Sequence, residues 1–352
     1  MASVYLKARN DVRDGADRLL ARWQDMRRQL HREGAPGSIL VTLDHCMRQA
    51  SVLGGTMAAF AGADGRSHVE HLSSAVEERA SLGPLPHASP LLTARHRGMP
   101  VVVVVTDRRG ADLLLVEPGA HDLVCQVIGE DLLITGSAPD GLHRRLERTE
   151  EQWAGSARAV SESLTWLVDC SRARLVVAGG EAGTLTLLRA RLEPRVRALL
   201  VPVRAPSSDL QQLAARARVM AADAAAVEEE AVVEEVLGGL ADGRACVGAA
   251  PTLRAVLRGQ AEEVLIAPDE ADHRQVRRLP PDAAGVASRH RDAGSPSGPR
   301  APLSDVLVRA AGATSTLVRT IRDGRRLDGG VGALLRAPVD VPPLPPRGPA
   351  LP

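Results

Sequence analysis

The sequence predicts an α/β protein built of three mixed units, and three observations carry that prediction. Residues 99–117 read MPVVVVVTDRRGADLLLVE, two apolar runs around a short charged turn. Residues 174–203 alternate strand, helix, strand, the grammar of a parallel β-α-β unit with a right-handed crossover. Composition breaks at the proline-rich 83–90 and near Gly239 divide the rest into a first and a last unit.

Taken in order, Ser3 to Leu6 is a strand, and Asp11 to Arg32 an amphipathic helix with Val12, Leu19, Trp23, Met26 and Leu30 near one face. Gly34 to Gly37 stops it, and Ile39 to Leu53 is a second helix. Thr56 to Ala61 and Arg66 to Leu72 are strands joined by Gly62-Ala63-Asp64-Gly65, a hairpin signal. Gly83-Pro84-Leu85-Pro86-His87, with Pro90, is a stiff extended turn leading out of the first domain, 1–97.

The central domain, 98–238, opens on the apolar hairpin. Val101 to Val105 is β-branched without interruption, which suits a strand buried on both faces. Asp107 to Gly110 turns the chain, and Leu113 to Val116 returns it. Leu123 to Val127 and Leu132 to Thr135 extend the sheet, and a polar loop follows at Gly136 to Gly141. A helix over 142–169 then places Leu146, Trp153, Ala157, Val160, Leu164 and Leu167 on one face. Arg174 to Ala178 is a strand, Thr184 to Arg197 a helix, Leu199 to Val203 a strand and Ser207 to Gly238 a long helix. Glu228 to Glu230, Glu234 and Glu235 are expected on its solvated face.

The last domain, 239–337, has strands at Ala245 to Val247 and Glu263 to Ala267 and a helix at Ala250 to Arg258. Residues 274–300 are polar and rich in Pro, Gly, Ser and Arg, predicting a mobile insertion. Leu303 to Gly312 is a helix and Ser315 to Ile321 a strand. The end, 338–352, is a proline-rich tail.

Composition narrows the function classes. Net charge is +1, which argues against a uniformly basic nucleic-acid binder. Lys7 is the one lysine, so positive charge resides in arginine, whose planar fork suits phosphate. Tyr5, Trp23, Phe60, Trp153 and Trp166 are too few aromatics to stack a single strand of bases. Cys46, Cys125, Cys170 and Cys246 are far apart, without a Cys-x-x-Cys pair, and read as buried thiols in a reducing compartment. Residues 1–7 lack a signal-peptide core and no stretch has membrane-spanning length, so the expected location is cytoplasmic, with no membrane and no DNA partner.

Candidate chemistry is sparse. Ala178-Gly179-Gly180-Glu181-Ala182-Gly183 lies between strand and helix, where phosphates bind, but lacks Gly-x-Gly-x-x-Gly and Gly-Lys-Ser/Thr. Glu181 adds negative charge there, so a structural turn is expected. No histidines pair at metal spacing; His87 and His143 alone stand near suggestive loops, each better read as a surface or packed residue. No Gly-x-Ser-x-Gly elbow occurs, and Asp107 and Asp112 read as turn formers. Arg144, Arg145 and Arg148, beside His143, suit phosphate contact; interspersed with Glu147, Glu150 and Glu151, they suit a helix start laced with ion pairs slightly better. Arg108 and Arg109 are a second basic pair. No cofactor is implied.

Several segments resemble one family in order along nearly the whole chain. They are Ser3-Val4-Tyr5-Leu6, Arg22-Trp23, Leu82 to His87 running into Pro90-Leu91-Leu92, Val101 to Val116, and Arg174 to Gly179. Cys246-Val247-Gly248, Thr252 to Gly259, Val264-Leu265-Ile266 and Gly330 to Arg336 complete the set. The chain resembles the bacterial relatives of the archaeo-eukaryotic peptide chain release factor and Pelota, closest to an actinobacterial branch of the group that includes the hibernation factor Balon. The resemblance implies a variable first domain, a release-factor-like central domain and an L7Ae-like last domain. It also implies a ribosome partner, through ribosomal RNA at the tRNA A site in stress, stalling or hibernation, with elongation factor Tu as a candidate partner. In active members a Gly-Gly-Gln loop between hairpin and long helix promotes ester hydrolysis. Here that position, 134–145, reads ITGSAPDGLHRR, and Gly136, Ser137, Ala138, Pro139, Asp140 and Gly141 stand where the motif would be. Gln126 and Gln152 fall outside it. The resemblance thus carries no catalytic residue over, and favours a non-enzymatic factor over a peptidyl-tRNA hydrolase or release factor with an atypical loop.

Overall fold

The structure is a computed structural model, and it describes residues 1–7, 15–49, 55–72, 76–107, 110–118, 122–128, 131–137, 151–203, 210–277 and 300–338. Two compact units emerge, one of residues 1–82 and 90–228, the other of 83–89 and 229–352. The architecture is mixed α/β throughout, as the sequence predicts.

In the first part lie β1 (Ala2–Lys7), α1 (Gly15–Arg32), α2 (Gly37–Gln49), β2 (Thr56–Ala61), β3 (Ser67–Leu72), β4 (Arg79–Leu82) and α3 (Ser89–His96). The sheet order is β3-β2-β1-β4, with every pairing antiparallel. Alternation along β1 divides its side chains. Val4 and Leu6 join Met57 and Ala59 under Leu19, Trp23, Leu30, Ile39 and Leu43 of the two helices. Tyr5 packs on the other face with Phe60, Leu72, Leu91 and Ala94, so α3 covers that side. Trp23 Nε1 donates to Asp44 Oδ1 at 2.9 Å, satisfying the buried indole and tying α1 to α2. The second helix starts earlier than expected, just after Pro36, which is suited to a helix's first turn. β4 and α3 are too short to show periodicity in the sequence.

The central elements are β5 (Val101–Asp107), β6 (Gly110–Val116), β7 (Leu123–Ile128), β8 (Asp131–Ser137), α4 (Glu151–Ser171), β9 (Leu175–Gly180), α5 (Ala182–Arg191), α6 (Pro194–Ala198), β10 (Leu200–Pro202) and α7 (Leu210–Gly239). Their six strands run β10-β9-β5-β6-β7-β8. β10, β9 and β5 are parallel, and the rest form an antiparallel meander. Val102, Val104, Leu113 and Val176 face Val160, Leu164, Leu167 and Leu188 of α4 and α5. Val101, Val103, Leu114 and Val177 face Leu213, Ala214, Ala217 and Ala221 of α7. β5 is therefore buried on both sides, which explains its unbroken valines.

Three expectations are corrected here. The single helix over 184–197 is two, because Pro194 cannot donate a backbone hydrogen bond; it opens α6 while Glu193 before it is extended. Asp112 is no turn former: it lies in β6 opposite Val105, and Gln126 Nε2 donates to its Oδ1 at 3.0 Å. The acidic run of α7 is not simply solvated. Arg174 pairs with Glu228, the Arg322 amide with Glu229, and Arg326 with Glu230 and Glu234.

The last part contains β11 (Ala245–Val247), α8 (Ala249–Leu257), β12 (Ala261–Ile266), α9 (Pro268–Ala271), β13 (Gln275–Arg277), β14 (Arg300–Pro302), α10 (Leu303–Thr314), β15 (Leu317–Thr320) and β16 (Val331–Leu335). Its sheet runs β11-β16-β12-β15, with β12 and β15 parallel and β16 antiparallel to both neighbours. Val264, Ile266, Val331 and Ala333 pack against Val256, Leu303, Leu307 and Ala311 of α8 and α10. Leu265 and Ala245 face Val233 and Val236 in the last turns of α7. The ends of the expected insertion are ordered: β13 and β14 pair, Val276 opposite Ala301. Residues 278–299 and the tail from 339 lie outside the described residues.

Gly180 joins two strands at a point of close approach. Its φ is +144°, and a Cβ there would run into the Thr106 carbonyl oxygen of β5. Gly180→Ala is expected to cost on the order of 3 kcal/mol through combined strain and overpacking, read as a lower midpoint in urea unfolding.

Candidate functional site

The central sheet fixes where the candidate loop leaves the fold. β8 is the outermost strand, and its last residues Gly136 and Ser137 pair with Val124 and Leu123. They are thus the end of a strand, not the start of a free loop, which corrects the expected limit of Leu132 to Thr135. The register slips at this point, between Val124 and Cys125. Ala138, Pro139, Asp140, Gly141, His143, Arg144, Arg145 and Arg148 lie outside the described residues, as do Arg108 and Arg109.

The anchors of these two groups are nevertheless placed. Ser137 is level with Leu123, Leu123 with Leu115, and Leu115 with Val102 near the start of β5. The turn carrying Arg108 and Arg109 is closed by the Asp107–Gly110 pair, at the far end of β5. At about 3.3 Å per residue, the two anchors are separated by roughly 16 Å along the strands. The loop and the arginine turn therefore leave opposite ends of one sheet.

The glycine turn stands at the Arg108–Arg109 end, since Gly180 pairs with Thr106. Glu181 is the N-cap of α5 and makes no capping hydrogen bond with its side chain. The constraint on Gly180 is a strand contact, which supports the structural reading of this turn.

One polar cluster lies inside the second unit. His87 Nδ1 is 3.1 Å from Asp305 Oδ1, and Nε2 is 3.5 Å from Asp272 Oδ2. Ser89 Oγ donates to both oxygens of Asp272, at 3.1 and 2.9 Å, and Ser304 Oγ donates to Asp272 as well. His87, Ser89, Ser304 and Asp305 are all buried. Burial pushes the Asp305 carboxyl above the usual aspartate range, and the Asp272 charge adds to this; the hydrogen bond from His87 works against them. The sequence marks His87 but gives no sign of Asp272, Ser304 or Asp305, because the partners stand about two hundred residues away. Ser89 is turned to Asp272 rather than to the imidazole, so the group is no nucleophilic triad.

Cys46 and Cys125 are buried, Cys246 is half-buried and Cys170 is exposed; all four are free thiols. Cys170 thus departs from the expected buried thiol, because it sits on the outer face of α4 beside Trp166 and Asp169, which are also exposed. Among the described residues no group of His, Cys, Asp or Glu is arranged to hold a metal ion. No described helix is long and apolar enough to cross a membrane.

Residues 100–242 match bacterial archaeo-eukaryotic release factor family 2. The matched stretch coincides with the six-stranded sheet and the helices that cover it. Among curated proteins, the chain is 27% identical over 201 residues to the uncharacterized Mycobacterium tuberculosis protein Rv2629. The alignment covers 55% of this chain and 54% of that protein, so the chain spans about half the length of the curated relative it matches. Among solved structures it is similar to Dom34 of S. cerevisiae, a translation termination-like factor, at 12% identity, 81% coverage of each chain and a TM-score of 0.41. It is also similar to archaeal Pelota in a ribosome-bound assembly with ABCE1, at 15% identity, covering 81% of this chain and 78% of that one, with a TM-score of 0.42.

The Arg326 pairs with Glu230 and Glu234 are exposed, so their contribution to stability is small. Arg326→Ala should lower the urea-unfolding midpoint only slightly, and raising the salt concentration should shrink the difference.

Proposed function

We propose that this protein is a ribosome-associated factor that occupies the tRNA A site during stress, stalling or hibernation, without hydrolysing the peptidyl-tRNA ester. One observation carries the reading. Within the stretch that matches the release factor family, the position of the Gly-Gly-Gln loop reads ITGSAPDGLHRR. The match to the release factor family supports a related scaffold, and the expected loop position carries no glutamine.

The grip on RNA is assigned to Arg144, Arg145 and Arg148 with His143, following the loop, and Arg108 and Arg109 form a second, separate contact. Arginine forks bind phosphate bidentately, so a few well-placed side chains suffice on a chain of net charge +1. The scarcity of aromatics favours recognition through backbone and shape. Elongation factor Tu is the proposed delivering partner, and the cytoplasm the place of action.

At low salt, the protein from starved cells should pellet with ribosomes; complete recovery in the supernatant would overturn the proposal. Charge reversal at both Arg144 and Arg145 should weaken retention and reduce the slope of log affinity against log salt by about two. Purified protein should leave the ester of stalled ribosome–nascent chain complexes intact. Hydrolysis that disappears on replacing residues 136–141 would make it an enzyme instead.

A further inference from the structure

The last turns of α4, the end of α5 and the short α6 form one ridge on a face of the central sheet. Leu188, Leu192 and Val196 recur every four residues and are buried in the core beneath it. That spacing turns the residues between them outward, and Arg189, Arg191, Arg195 and Arg197 are exposed. Ser161 Oγ of α4 donates to the Arg191 carbonyl at 3.2 Å, and Arg195 binds both oxygens of Asp169. These bonds tie α5 and α6 to α4. Arg172 follows α4 directly, exposed and with φ of +53°.

Among the described residues, two features of the ridge lack a partner. Arg172, Arg189, Arg191 and Arg197 make no ion pair and no side-chain hydrogen bond, unlike Arg174, Arg195 and Arg218 of the same unit. Trp166, three residues before Asp169 and so on the same face of α4, is 44% exposed. Trp23, by contrast, is buried with its indole N–H bonded. The end of a helix favours a basic residue, which accounts for Arg189 and Arg191 one at a time. It does not account for an exposed indole on the same ridge.

Charge complementarity points to the occupant. Residues 172–198 hold six arginines against two glutamates, in a chain whose net charge is +1. An arginine fork takes a phosphate through two hydrogen bonds, and an exposed indole stacks on an unpaired base. Structured RNA offers both together where a base bulges from a helix. Position agrees. Leu175, just after Arg172, is level with Val101, while Ser137 is level with Val102 through Leu123 and Leu115. Arg172 and the exit of the candidate loop therefore share one end of the sheet, four strand spacings or roughly 19 Å apart.

We propose that the ridge of α4, α5 and α6 is a second RNA-binding surface, on which Trp166 stacks on an unpaired base and Arg172, Arg189, Arg191 and Arg197 hold the flanking phosphates. The choice of RNA as the polyanion rests on the proposed ribosomal role, but the surface uses none of the loop residues.

Fluorescence anisotropy of a labelled RNA hairpin with one bulged base, titrated with the full chain over a salt series, tests this. The parent should bind, with log affinity falling linearly against log salt. The double variant Arg172→Gln, Arg197→Gln should bind about tenfold more weakly and flatten that slope by between about one and two. Trp166→Ala should also lose about tenfold but keep the slope, and Trp166→Phe should regain most of the loss. An affinity and slope equal to the parent's in the arginine variant, or an affinity equal to the parent's in Trp166→Ala, overturns the proposal. If Trp166→Ala fails to fold, a hairpin without the bulge decides: parent binding that is equal for the two hairpins overturns the stacking. No binding of RNA at low salt, with poly-glutamate bound instead, overturns it in favour of an acidic protein partner. Charge reversal at Arg144 and Arg145 separates this reading from the A-site proposal. Ridge-dependent RNA binding in a protein that never pellets with ribosomes supports the ridge and overturns the A-site role. RNA binding lost with the loop arginines and unmoved by the ridge variants does the reverse.

Discussion

The burial of β5 on both faces is the constraint from which the central domain follows. A strand of five consecutive valines has no side that water can wet. One face must be covered by α4 and α5 and the other by α7, and the chain must cross over to supply them. Those crossovers make β9 and β10 parallel to β5, whereas the turn after Asp107 makes β6 antiparallel. The meander then grows away from the parallel side until β8 forms the edge. The candidate loop leaves that edge at Ser137.

Charge is managed differently at the surface and in the interior. With 44 basic and 43 acidic residues, the chain could pair most of its charge, and much of the visible surface does so. Arg195 binds Asp169 and Glu193, and its guanidinium holds Asp169 below the usual carboxylate range. Arg326 takes two glutamates of α7. Such exposed pairs contribute little to stability but cancel the field that would attract RNA indiscriminately. Binding by a near-neutral chain then rests on local groups of arginine. Buried polar groups follow a stricter rule: a donor or acceptor taken out of water must find a partner, as Asp272 does in Ser89 and Ser304.

The sequence by itself determined the α/β class, the strand–helix alternation of the central domain and its double-sided valine strand. These features are local, since periodicity and β-branching act on neighbouring residues. It also determined what the loop after β8 contains. It did not reveal β16, which carries only five residues and a glycine, or the break at Pro194, masked by the continuing apolar pattern around Leu188, Leu192 and Val196. Only the tertiary structure decided that the loop and the Arg108–Arg109 turn leave opposite ends of the sheet, because strand register sets that separation. It alone brought His87 to Asp305, and Asp272 to Ser89 and Ser304. The physical reason is the same in each case. Hydrophobic periodicity is written within a few residues, whereas the pairing of buried polar groups depends on segments that meet only when the chain has folded.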